Sequence, residues 1–305
     1  MSVSPTYFNK ELNNIRRVFG NSYSFVLDDY SNANVSGDFG LFSSIGRNQL
    51  ISNLGIKFGL INISTTADAN IGVLAGSSSG TIFNVSVGAL PSVDTDYMGN
   101  TQQKTVADFG NGVSNKYLSA ILDSQEIATL KVAVLQGNSV IGGLVGTASG
   151  YINNTFGSID MSIRGVGDQS IIGGLVGASQ WASISNVMTN GRLNISLNST
   201  IGGMVGMAQE SYIRGAIANV NMGVFVPDYD ATLVGYAFGD FVDGEYVGII
   251  ANTDISATDS EYFDNELYSL GQTTAKLSSQ EALDFILDEN NLFDTTLWVQ
   301  DVTKN

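Results

Sequence analysis

A six-residue string returns along this chain at a nearly constant interval, and that recurrence limits the fold more than any other feature. It reads IGVLAG at 71–76, IGGLVG at 141–146 and again at 172–177, and IGGMVG at 201–206. Weaker forms are GLFSSIG at 40–46 and TLVGYA at 232–237. Leu144 to Leu175 is 31 residues, Leu175 to Met204 is 29, and Met204 to Leu233 is 29. A second string follows about ten residues after each first one: ISNL at 51–54, IFNV at 82–85, INNT at 152–155 and ISNV at 184–187. Its counterpart at 213–216, IRGA, lacks the asparagine. Two unrelated strings that keep one period define a structural repeat, and periods of 20–50 residues signal solenoids or arrays.

Within each unit, runs such as Ala182–Val187 and Arg192–Ser196 alternate Ile, Val or Leu with Ser, Asn or Thr. That alternation marks short strands, and the Gly, Asn and Ser between them mark turns. One such unit cannot bury its apolar face alone; stacked units bury it against their neighbours. The expected fold is therefore all-β, a right-handed parallel β-helix (β-solenoid) of about seven coils of ~30 residues. Stacking would line up Leu41, Leu74, Leu144, Leu175, Met204 and Leu233 in one apolar column. Ile51, Ile82, Ile127, Ile152, Ile184 and Ile213 would form another. Asn53, Asn84, Asn154 and Asn186 would form an amide ladder from coil to coil.

The gap from Leu74 to Leu144, 70 residues, reads as two periods plus extra residues. The stretch IATLKVAVL at 127–135 would then be a worn second motif, and residues near 97–126 an insertion with a short helix at 117–122. Residues 1–39 read as an N-terminal cap, 40–257 as the solenoid and 258–305 as a helix-containing C-terminal cap. In the last, Ser278 and Glu281 have the spacing of a capping box. Caps are expected because an open solenoid end exposes unpaired strand edges.

The paired glycines Gly142-Gly143, Gly173-Gly174 and Gly202-Gly203, with Gly146, Gly177 and Gly206, fit tight backbone approach between coils. A phosphate cradle would need a following helix and usually a lysine. IGGLVG is followed by Thr147-Ala148-Ser149 or Ala178-Ser179-Gln180, which supply neither.

These strings resemble the GLUG repeat of bacterial surface and secreted proteins, whose core is a GGLVG-like string followed by an I-x-N strand. The resemblance covers roughly residues 37–257. It continues in Glu261-Tyr262-Phe263-Asp264, Gly271-Gln272-Thr273-Thr274 and Trp298, similar to the tail that follows such repeats. It implies an extracellular or cell-surface module, a stalk or adhesive surface, with other copies of itself or surface glycans and proteins as partners.

Composition narrows the chemistry. The chain has 305 residues and no histidine or cysteine, which excludes Ser-His-Asp and Cys-His catalysis and disulfides. Against 29 acidic residues stand 13 basic ones, a net charge of -16, so nucleic acid and anionic lipid are not expected partners. No membrane-spanning run occurs in the sequence, and the N-terminus shows no apolar signal-peptide core. No cofactor is expected. Asp240, Asp243, Glu245, Asp28 and Asp29 are weak Ca²⁺ candidates, set against the simpler reading of solvated turn acids. Trp181, Tyr151 and Tyr212 read either as sugar-stacking rings or as residues packed at coil corners. Arg164, Arg192 and Arg214 lie near coil edges without evident carboxylate partners. The sequence reading is a non-enzymatic structural or adhesive module. Its alternatives are an end-to-end protomer of an extracellular filament or matrix, and a polysaccharide-active enzyme on the same scaffold.

Overall fold

The computed structural model describes residues 17–27, 29–88, 128–166, 169–225, 232–251 and 254–257, together with the short strands Ser2–Val3, Asp94–Thr95 and Thr101–Gln102. The chain winds into a parallel β-solenoid with no helix among the described residues. One turn shows the plan. Strand Tyr151–Gly165 runs along one side, Ser170–Gly173 returns, Val176–Gln180 closes the turn, and Ser183–Ser196 starts the next. The pairing joins a 16-stranded sheet and a six-stranded sheet. The six strands of the short sheet are successive passes of the chain, from Phe42–Ile45 to Phe238–Val242, which makes five full turns between first and last. A further partial coil, Glu245–Ala251 and Asp254–Ala257, pairs with Tyr212–Val224.

Alternation in sequence becomes alternation in space. In Ser183–Ser196, Ile184, Val187, Leu193 and Ile195 are buried inside the coil. Each lies over its counterpart in the coil before: Ile152↔Ile184, Thr155↔Val187, Met161↔Leu193, Ile163↔Ile195. The core is one continuous apolar cluster from Leu27 to Ala251 rather than a set of separate cores. Burying each such side chain contributes about 1.5–3 kcal/mol.

The leucine column is present, with one exception. The amides of Leu74, Leu144 and Leu175 donate to the carbonyls of Leu144, Leu175 and Met204 at 3.0, 2.8 and 2.9 Å, and Phe42↔Ala75 puts Leu41 beside Leu74. Met204, however, donates to Ala237, not to Leu233. Leu233 sits opposite Thr200, Val234 opposite Ile201 and Gly235 opposite Gly202. The last coil is thus shifted by four residues from its expected phase. Ala237 fills the leucine position and Phe238 the valine position beside it, both fully buried. The small and large side chains have changed places, so the volume is conserved although the string is not.

The long gap also resolves differently. Strand Ala128–Val134 pairs with Ile159–Gly165 and with the stretch from Leu60 to Thr65, so it is the later part of a coil, not a second motif. Ile152 stacks directly on Ile82. Ile127 itself lies outside the described residues and has no vacant place in that column. Thr81–Gly88 supplies the first part of this coil, with Gly88 opposite Ser158, and Ala128 resumes opposite Ile159, the next residue. One coil is therefore split at a single ladder position, and residues 89–127, 39 of them, leave and return there. Removing 39 from 70 leaves 31, one ordinary period.

A chain with residue 88 joined directly to residue 128 should therefore fold with an unbroken third coil. Its expected far-UV circular dichroism is that of a β-rich folded chain, and its thermal midpoint lies within a few degrees of the parent's, since loop closure depends only logarithmically on loop length. Aggregated or unfolded product would show that the two half-coils are not contiguous.

At the N-terminal end the stack begins inside the segment expected to form a cap. Strand Arg17–Leu27 pairs with Leu50–Phe58, Tyr30–Phe39 pairs with Leu60–Gly72, and Ser2–Val3 pairs with Val26 and Leu27. The sequence spacing of Phe8, Leu12, Ile15, Val18 and Phe19 suits one face of a helix, but Val18 and Phe19 lie in strand Arg17–Leu27, opposite Ile51 and Ser52, so the helix does not extend to them. Residues 4–16, the expected helices at 117–122 and Ser278–Asp288, and the whole of 258–305 lie outside the described residues.

Candidate functional surface

The solenoid places four groups of residues that sequence singled out: paired glycines, asparagines, turn acids and three aromatic residues, the last of which it brings to one edge.

The glycines are structural. At Gly173 a methyl group would stand 1.9 Å from the Val176 carbonyl oxygen and 2.7 Å from the Gly206 amide nitrogen; at Gly174 it would stand 2.2 Å from the Gly203 oxygen. The corner between the two sheets is backbone packed on backbone, with no room for a ligand.

The asparagines serve the backbone first. Asn53, Asn84, Asn154 and Asn186 all have φ between 51° and 54°, the left-handed region that Asn tolerates better than most residues. The next two coils put Gly215 (φ 56°) and Gly248 (φ 65°) there, opposite the same bend. What looked like a lost asparagine keeps its conformation and gives up only the amide. The side-chain ladder runs from Asn154 to Asn84 at 2.9 Å and from Asn84 to Asn53 at 2.6 Å. The buried Oδ1 of Asn154 accepts no bond, so the ladder does not continue through it to Asn186. A second ladder, not visible as a motif, joins Asn219 to Asn190 at 2.7 Å and Asn190 to Ser158 at 3.4 Å. Its residues share no string with one another, and only the register brings them together.

The calcium candidates are scattered. Asp240 lies opposite Met207 on the short sheet, Asp243 sits in a left-handed corner, and Glu245 opens the next strand opposite Tyr212. Asp29 Oδ1 accepts the Leu60 amide at 2.9 Å, the role of a turn acid. Asp28 lies outside the described residues. Among the described residues no three acidic side chains are placed to share a cation.

Among the described residues, Asp160 is the one acid with a clear electrostatic consequence. Partial burial pushes its carboxyl above the ordinary aspartate range, while the Arg192 guanidinium and a backbone hydrogen bond from Arg192 pull it partly back. Arg192, which showed no carboxylate partner in the sequence, therefore has one in the neighbouring coil.

The aromatic edge lies where the short sheet turns into the long one. Tyr151, Trp181 and Tyr212 are 64%, 63% and 58% exposed, so they are not packed into the corners. Tyr151, Ser183 and Tyr212 occupy one column on three successive coils. Trp181 stands at the turn just before Ser183, in left-handed backbone (φ 53°), and its Nε1 donates to Glu210 Oε2 of the next coil at 2.5 Å. Glu210 (φ 47°) and Asp243 (φ 48°) hold the same corner in the two following coils. A left-handed tryptophan costs roughly 1–2 kcal/mol that glycine would avoid. Outward-facing Asn153 and Arg214 flank the tyrosines two residues along their strands. A shallow depression of about 660 Å³ opens there between Tyr212, Arg214, Glu245 and Tyr246.

Compared with protein-family models, curated proteins and solved structures, the chain matches none.

Proposed function

We propose that this chain is a non-enzymatic, extracellular or cell-surface β-solenoid that acts as a structural and adhesive module. The observation that carries the reading is the exposed row Tyr151, Trp181, Tyr212 on a scaffold whose interior is filled with side chains. A filled core leaves the outer surface as the place where function resides. The resemblance of the IGGLVG and I-x-N strings to the GLUG repeat points the same way and supplies the bacterial-surface context. Ser, Thr, Asn and Gln form the largest group of exposed side chains among the described residues, beside charged residues and rings, and suit a contact surface.

Protease treatment of intact cells that express the protein tests this. The solenoid epitope should disappear from unbroken cells, or be found in the medium. An epitope that is degraded only after lysis would overturn the reading.

A further inference from the structure

We propose that the edge formed by Tyr151, Trp181 and Tyr212 is a binding platform for a neutral, extended, β-linked polysaccharide of the cellulose or chitin kind. The proposal rests on the surface-module reading and names the partner of that module.

The argument begins with spacing. Tyr151 and Tyr212 lie in one column with Ser183 between them, two strand spacings apart, which is roughly 9.6 Å along the axis. That is about the length of one disaccharide unit in an extended β-linked chain, whose alternate sugars present the same face. A polysaccharide lying along the axis would meet Tyr151 and Tyr212 with equivalent sugars, and Trp181 beside the sugar between them.

The chemistry agrees. The faces of such sugars carry C–H groups that pack on aromatic rings, and their edges carry hydroxyls. Tyr and Trp offer an apolar face with a polar edge. Hydroxyl-bonding groups lie close by: Ser183 between the two tyrosines, Gln180 just before Trp181, and Arg214 two residues beyond Tyr212. The rings are separated by polar residues and form no continuous apolar patch, unlike the apolar centre of a protein interface. Glu210, Asp243 and Glu245 are exposed at the same edge and disfavour an acidic polysaccharide. The Trp181 indole is held by Glu210, so part of the orienting is done before any ligand arrives.

The left-handed backbone at Trp181 provides a test that separates binding from folding. Trp181→Gly removes the ring at a position where glycine is the favoured residue, so the variant should keep or raise the thermal midpoint. Purified wild-type protein should sediment with microcrystalline cellulose or with chitin. Trp181→Gly and Tyr212→Ser should each lower the bound fraction at least about tenfold, the effect expected of a ring that anchors a ligand. Wild-type protein left in the supernatant with both polysaccharides would overturn the proposal, as would variants that sediment equally well. Light scattering on the same samples covers the rival occupant: a wild-type dimer that Trp181→Gly makes monomeric, with no polysaccharide bound, would assign the edge to a second copy of the chain and overturn the proposal. Reducing ends released from a polysaccharide that the protein does bind would support the platform while overturning the non-enzymatic reading.

Discussion

Gly173→Ala should be among the most damaging single-atom additions to this chain, lowering stability by more than the about 1–3 kcal/mol typical of overpacking. The added methyl meets carbonyl oxygen and amide nitrogen, not movable side chains, at 1.9 and 2.7 Å. The closer contact, to Val176, lies within the same corner and the other, to Gly206, is with the coil that follows. Relief therefore requires the corner to open and disturbs the ladder in which Leu144 and Leu175 donate to the coil that follows each. Gly46→Ala is the matched control: the nearest atom to its methyl is the flexible Gln49 Oε1 at 3.3 Å, and its expected cost is within about 1 kcal/mol. Chemical denaturation of both variants checks the contrast. Equal midpoints would mean that the corner is looser than described.

Leu175→Ala should cost about 2–5 kcal/mol, the range for deleting a fully buried leucine when the surroundings cannot collapse. Leu175 lies between Leu144 and Met204 in the axial column, and the sheets on either side fix the coil spacing. The void therefore stays open. Leu175→Met should cost less than about 1.5 kcal/mol, because methionine already fills this position one coil later, at Met204. A denaturation series with alanine and methionine at 175 measures both. A mild alanine variant would show that the column side chains do not bear on one another.

The period and the stacking were legible in the sequence because both follow from local rules. Alternating Ile and Ser define strands, and a repeated string defines equivalent positions. Phase was legible only where the string was intact. At the last coil Ala237 and Phe238 exchange bulk between neighbouring positions, so matching leucine to leucine selected Leu233 and misplaced the coil by four residues. Alternation likewise identified 128–134 as a strand but not which side of the coil it lines. The assignment to a second motif followed from reading 70 residues as two periods. The asparagine bend was half legible: the amide ladder was expected, whereas the left-handed backbone that Gly215 and Gly248 preserve was not. The aromatic edge was seen as three separate residues. Its alignment depends on a register that puts Tyr151 and Tyr212 in one column across 61 positions of sequence.

The absence of native cysteine permits a direct test of whether coils lie in register. Thr147, Ala178 and Met207 follow one another on the outside of the short sheet, one coil apart. A Thr147→Cys/Ala178→Cys pair spans one strand spacing, roughly 4.8 Å, within reach of a disulfide, whereas Thr147→Cys/Met207→Cys spans two and lies outside it. Under mild oxidation the first pair should close nearly completely within the monomer and the second should not close at all. The opposite pattern, or equal closure of both, would contradict the stacked coil.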